Sequence, residues 1–283
     1  MTNVGEKSSS RIGFIQGRLS PIEKGRIQSF PWETWEEEFE TATRISLKKV
    51  EWTIDSENFS SNPLLTSVGR EAINRIKSLH NIDIPSITCD YFMENPPWKS
   101  HADRVFIGIK SILLGMVDID SKILVVPLVD NSSLGSQVKA WKLETFFRPI
   151  TKLLRKNDIR IAFETDLSPE SFPEFINEFD KDLFGINYDI GNSASLGYNP
   201  KSEIESYGDW IINVHVKDRV LGGSTVPLGE GSADFETVFG TLASINYAGN
   251  FILQTARSST GDHVGVIEKY RDMTLKWMDR YGL

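Results

Sequence analysis

The chain has 283 residues, enough for one α/β barrel of about 250 residues or for two small domains, and 40% are apolar, which suffices for a large core. A formal net charge of −8 argues against a nucleic-acid backbone as the main partner, since such partners select basic surfaces. The single cysteine, Cys89, excludes an internal disulfide framework and suits a reducing, cytoplasmic setting, and no apolar run approaches the roughly 18 residues that a membrane helix needs.

The first ten residues, MTNVGEKSSS, lack the apolar stretch of a signal peptide and read as a short disordered tail (1–10). From 11 to 283 the chain reads as one domain in which short apolar segments alternate with helical patterns. Strands are expected at RIGFIQ (11–16), KKVEWTI (48–54), DIPSITC (83–89) and KILVVPL (122–128), then at IRIAFET (159–165), FGINYDI (184–190), INVHVK (212–217) and NFILQT (250–255). Amphipathic helices are expected at 65–80 and at 143–157. In the second, Phe146, Ile150, Leu153 and Leu154 share a face, and Arg155 and Lys156 suit the C-terminal dipole. SPESFPEF offers a Ser cap and a proline in the first turn, so a helix should start near 168, and the last helix should fill 263–282.

Strand then helix, eight times over, predicts a (β/α)8 TIM barrel. The fifth and sixth helices are short, so an open doubly wound sheet is the competing architecture. Against it, GFIQGRLSP at the first strand is not the GxGxxG phosphate fingerprint.

In a barrel, side chains at the C-terminal strand ends converge on one mouth. In chain order these are Gln16 and Arg18, Glu51, Cys89 with Asp90, and Asp130 with Asn131. The later strands bring Glu164, Asp189 with Asn192, His215 with Lys217, and Gln254 with Arg257. Period-two alternation puts Asn213, His215 and Lys217 on one face, Asn187 and Asp189 on another, and Ile252 with Gln254 on a third. Glu164, Asp189, His215 and Gln254 can therefore face the mouth from four successive strands. Two carboxylates, an imidazole and an amide oxygen form a mostly hard ligand set that suits Mn²⁺, Mg²⁺ or Co²⁺ and also accommodates Zn²⁺. Taken singly the residues have plainer explanations: a strand-end histidine is often structural, Asp before Gly is a turn former, and ETD can cap a helix. Their recurrence on consecutive strands favours the metal. His80 and His101 read as helix-end residues, and His263 as the start of the last helix.

FET, YDIGNSASLGY, VHVKD, PLGEGSADF and ILQTAR together resemble the xylose-isomerase-like TIM barrels grouped as sugar-phosphate isomerases and epimerases, and the resemblance runs from about Arg11 to Leu283. It implies a divalent ion held by Glu, Asp, His and Glu, chelating two neighbouring sugar oxygens. Glu164, Asp189 and His215 match the first three ligands, whereas Gln254 departs from the fourth. An amide oxygen can ligate, but it cannot serve as a base.

The expected activity is isomerisation or epimerisation of a sugar, sugar phosphate or related polyol ketone through an enediolate. Glu164 is the base, with Lys217 and Gln254 beside it and Arg18, Glu51, Asn192, Arg219 and Arg257 as substrate contacts. Because Gln254 leaves Glu164 as the one evident carboxylate base, single-base aldose–ketose isomerisation is favoured over two-base epimerisation. DRVLGGSTVPLGEG either presents backbone N–H groups to a phosphate beside Arg219 or forms a plain lid. The aromatics of PWETW and DYFMENPPW are expected to wall the sugar pocket. The alternatives are a metal-dependent phosphodiester hydrolase like the endonuclease branch of the superfamily, and a non-catalytic sugar-binding barrel. The partner is a small carbohydrate, with neither nucleic acid nor membrane, and a homo-oligomer is left open.

Overall fold

A computed structural model describes residues 9–99, 101–135 and 140–283, so the first eight residues of the expected tail lie outside the described residues. Eight parallel strands close into a barrel. They are β1 (Ile12–Ile15), β2 (Val50–Ile54), β3 (Ser86–Cys89), β4 (Ile123–Leu128), β5 (Arg160–Thr165), β6 (Phe184–Asp189), β7 (Ile211–Val216) and β10 (Asn250–Leu253). Between the last two, β8 (Asp218–Arg219) and β9 (Thr225–Val226) form a small antiparallel hairpin over the mouth. Ring order is β1-β10-β7-β6-β5-β4-β3-β2, which rules out the open sheet.

Alternation along each strand separates two environments. On β5, Phe163 points outward and meets Phe147, Phe175 and Phe179 at ring-centroid distances of 5.9, 5.5 and 4.9 Å, while Glu164 turns into the barrel. The inward face is unusually polar. Glu51, Ser86, Asn187 and Asn213 are all buried and bonded to one another. Asn213 Nδ2 donates to Glu51 Oε2 at 3.0 Å and to Asn187 Oδ1 at 2.9 Å, and Ser86 Oγ donates to Glu51 Oε2 at 2.6 Å. Such a layer is tolerated in a core because most of its groups are paired, the Asn213 Oδ1 being the exception among the described residues.

Two helices differ from expectation. The segment expected as one helix over 143–157 is two, Ala140–Phe147 and Thr151–Asn157, joined by a tight turn at Arg148–Ile150. Pro149 lacks the N–H that a continuous helix requires. The buried stripe is accordingly Leu143, Phe147, Ile150 and Leu154, with Phe146 and Leu153 only half-buried. The helix expected to start near 168 starts at Phe172. Ser168 instead closes the preceding turn, its carbonyl accepting from Ser171 N at 3.0 Å and Phe172 N at 2.9 Å. The last helix, His263–Tyr281, and the helix Ser67–His80 form as the pattern requires, and no helix among the described residues is long and apolar enough to cross a membrane.

Candidate active site

Register brings the site together. Asp189 on β6 pairs with His215 on β7 because the ladder shifts by one residue between Ile186 and Asn187, and His215 pairs in turn with Ile252 on β10. Glu164, Asp189 and His215 each offer a ligand atom, all within 4.8 Å of one another and all buried. His215 Nδ1 lies 3.3 Å from Glu164 Oε2 and 3.9 Å from Asp189 Oδ2. It has no hydrogen-bond partner among the described residues. The other ring nitrogen, Nε2, is taken by Glu51 Oε1 at 2.7 Å.

A buried ring nitrogen that makes no hydrogen bond while facing two carboxylate oxygens is what a divalent ion would satisfy, and the donor set fits one. Electrostatics agree. Burial pulls the His215 imidazole down, but Glu51 and Glu164 outweigh it and push its pKa up to about 10, so the pocket already favours a positive charge at this point. Burial also raises Glu164, yet His215, Lys217 and Asn187 carry it below the usual carboxylate value; Asp189, with burial and the Glu164 charge against it, is raised.

Glu164 is oriented from both sides. Asn187 Nδ2 donates to Oε2 and Asn192 Nδ2 to Oε1, each at 2.7 Å. Lys217 sends its ammonium back over the same group, to Asp189 Oδ2 at 3.1 Å, Asn192 Oδ1 at 3.2 Å and Gln254 Oε1 at 3.2 Å. The lysine stem crosses the helix Ile190–Leu196 so closely that a Cβ at Gly191 would sit 2.7 Å from Lys217 Cγ, which explains the glycine in YDIGN. Gln254 thus reaches the mouth, where its oxygen is bonded to Lys217.

Above the cluster opens a cleft of about 660 Å³. Glu164, Asn192, Lys217, Arg219 and Gln254 line it, together with Asp90, Asp130 and Asp166 and the apolar side chains of Ile27, Met93, Pro127, Val129 and Leu196. The expected aromatic wall is elsewhere: Trp35 packs on Trp52 at 5.3 Å, Trp32 on Phe30 at 4.9 Å and Trp98 on Phe92 at 6.1 Å. Their large apolar rings gain more from burial under the first and third loops than from lining a wet cleft.

The structure also puts three expected substrate contacts away from the cleft. Glu51 sits beneath His215 with no exposure. Arg18 is buried and donates to the carbonyls of Thr255 and Ile27 at 2.9 and 2.7 Å, and Arg257 donates to those of Gly17 and Ser20. Both arginines tie the first loop to the last, and neither lines the cleft. Arg219 does line it, with one nitrogen on Asn192 Oδ1 at 2.9 Å and two on the Gly223 carbonyl. His263 begins the last helix and does not border the cleft.

The second half of the glycine-rich loop turns its N–H groups to a carboxylate of the chain itself. Those of Gly229 and Gly231 both donate to Asp218 Oδ2 at 2.9 Å, and that of Ala233 donates to Oδ1 at 3.1 Å. A Cβ at Gly231 would lie 2.1 Å from Asp218 Oδ1, so the second glycine of GEG is there for close approach to this carboxylate. Sequence reading missed Asp218; the signal was the pairing of the aspartate in VHVKD with GEG downstream.

The family model of xylose isomerase-like TIM barrels matches residues 39–280. The chain belongs to that family. It is also similar to the L-ribulose-5-phosphate 3-epimerase UlaE of Escherichia coli O1:K1, 30% identical over 110 residues, or 38% of this chain and 39% of that one, so the match spans about two fifths of the relative. Among solved structures, the barrel resembles the IOLI protein crystallised with a zinc atom (TM-score 0.72, 15% identity, 96% of this chain and 99% of that one). It resembles equally a xylose isomerase-like protein from Mycobacterium smegmatis in complex with magnesium (TM-score 0.70, 14% identity, 99% of each chain).

Proposed function

We propose that this protein is a divalent-metal-dependent isomerase or epimerase of a sugar, a sugar phosphate or a related polyol ketone. The observation that carries the reading is the buried His215 Nδ1, which makes no hydrogen bond among the described residues and is set between Asp189 and Glu164, the latter lining a polar cleft. The partial likeness to a sugar-phosphate epimerase supports the substrate class.

Glu164, Asp189 and His215 would hold the ion, with the Gln254 oxygen, bonded to Lys217, as a candidate fourth donor. When bound, the ion supplies Lewis-acid stabilisation of the oxygen charge that develops next to the departing proton. The remaining work falls to the chain. Glu164 accepts the proton from the carbon beside the carbonyl, and its two amide partners fix its direction before substrate arrives. Lys217, 15% exposed and pointing into the cleft, places a positive charge beside the substrate oxygens. Arg219 holds Asn192, and through it Glu164, in place. Glu51 orients His215, while Arg18 and Arg257 keep the first loop closed against the last; for these three, a supporting role replaces substrate contact.

Asp189→Ala tests the reading. Metal content by elemental analysis should fall from about one ion per chain, with affinity weakened well over tenfold by calorimetry, while the circular dichroism spectrum is kept. Unchanged occupancy would remove the metal from this site.

A further inference from the structure

Glu164 accounts for one proton transfer, and the amide of Gln254 has no acid to contribute to another. A second carboxyl nevertheless faces the cleft. Asp90 directly follows β3 as the first residue of the helix Asp90–Glu94 and borders the same cavity as Glu164, Lys217 and Gln254. No hydrogen bond or ion pair holds its side chain among the described residues. Glu51 and Asp218 are engaged, the first with His215 and Ser86 and the second with three backbone N–H groups. Of the other acids bordering the cavity, Asp130 is exposed and Asp166 follows β5 on the same side as Glu164, so Asp90 is the one that reaches it from another strand while partly withdrawn from solvent.

Ring order supplies the geometry. The strands that carry Glu164, Asp189, His215 and Gln254 are β5, β6, β7 and β10, one contiguous half of the rim. Asp90 stands on the other half, with β4 between it and Glu164. Glu164 and Asp90 therefore reach the same cavity from two separate strands, with the ligand set confined to one side of the rim. Burial, then the charges of Glu164, Asp55, Glu94 and Glu51, push the Asp90 carboxyl up to about 7, so it can carry a proton near neutrality. The cation nearby, Arg18, already spends donors on the carbonyls of Thr255 and Ile27.

We propose that Asp90 is the second proton-transferring carboxyl of the site, and that the reaction is inversion at a carbon beside the carbonyl; this rests on the isomerase or epimerase reading above. Glu164 takes the proton, the C–H pair becomes the C=C bond of the enediolate, and the carbonyl π pair moves to oxygen. Asp90 then gives its proton to the opposite face of the same carbon as the C=O bond re-forms. Glu164 ends protonated and Asp90 ionised, and exchange of one proton with water at each carboxyl restores the starting state. Neither oxidant nor reductant is consumed. A single-base isomerisation would return the proton on one face and leave Asp90 idle.

The test compares metal-loaded wild type with Asp90→Asn, Asp90→Glu and Glu164→Gln, each incubated in heavy water with D-tagatose, D-fructose, L-ribulose 5-phosphate and D-ribulose 5-phosphate. Proton NMR reads deuterium in the recovered ketose and in any product. Wild type should form an epimer deuterated at the inverted carbon. Asp90→Asn should still exchange the proton of the starting ketose through Glu164, yet form epimer at least about 100-fold more slowly. Asp90→Glu should recover part of that loss, and Glu164→Gln should lose exchange and inversion together. Unchanged melting and metal content in Asp90→Asn would show that the fold is intact. Near-native epimer formation by Asp90→Asn, joint loss of exchange and inversion in it, or an aldose as the wild-type product would each overturn the Asp90 role while leaving Glu164 chemistry standing. A wild type that exchanges no proton of any of the four ketoses overturns the isomerase or epimerase reading, and the role of Asp90 with it.

Discussion

His215 is held in position before any ligand arrives. Glu51 grips Nε2 from below at 2.7 Å, which leaves Nδ1 aimed at Glu164 and Asp189. A carboxylate behind a ligating imidazole fixes its orientation and increases its basicity, an effect commonly worth 10–100-fold in metal affinity. Glu51→Gln keeps the shape but removes the charge. Its affinity for Mn²⁺ in calorimetry should therefore weaken by about that factor, with secondary structure unchanged; an affinity within twofold of wild type would show that the carboxylate plays no orienting part. The inward face of β7 was legible from alternation alone, because Asn213, His215 and Lys217 recur at period two. Glu51 was visible as a strand-end acid but not as the partner of His215, since the two lie 164 residues apart and meet only when the barrel closes. Asp90 was equally visible as a polar residue after a strand. What sequence could not supply was its exposure to the cleft and its lack of a partner among the described residues.

Strands were the most legible elements. Each of the eight barrel strands lies within or next to the apolar segment that predicts it, because a strand buried on both sides needs a short, β-branched apolar run. Helix boundaries were less so. Pro149 acts on the backbone rather than on the hydrophobic period, so a pattern that ignores it runs straight through the break, and near 168 the Ser-Pro pair makes a turn while the second proline lies in the first turn of the helix that starts four residues later. The stretch 218–231 offers a choice between an anion loop and a lid, and Asp218 takes the N–H groups of Gly229, Gly231 and Ala233 out of the first. Asp218→Ala would leave three backbone donors without their partner, each worth about 1–3 kcal/mol. Residues 219–233 should then lose amide-exchange protection and become the first site of proteolytic cutting, while the barrel strands keep their protection. Equal loss of protection throughout would mean that Asp218 supports the barrel and not the hairpin alone.

At the scale of the whole molecule, closure of the ring gathers on one rim groups that are far apart in the chain, and a ligand that bridges β5, β6 and β7 should stiffen all of it. An ion bound only by the folded protein adds about 2.7 kcal/mol at a free concentration one hundred times its Kd. For a barrel of this size that raises Tm by roughly 5–10 °C. Scanning calorimetry with Mn²⁺, Mg²⁺ or Zn²⁺ should show the rise, chelation should reverse it, and Asp189→Ala should abolish it. An equal rise in Asp189→Ala would place the bound ion elsewhere.

The polar layer inside the barrel has a bearing on how this sequence can diverge. Glu51, Ser86, Asn187 and Asn213 come from four strands, and each satisfies a hydrogen bond that another would leave open. Replacing any one with an apolar residue strands its neighbour in the buried interior, at a cost that a solvent-facing substitution does not carry. Drift at these positions is therefore epistatic. A lineage can cross from this layer to an apolar one through paired or concerted changes, whereas single steps pass through less stable intermediates, and natural variants of this barrel should carry substitutions here in coordinated sets.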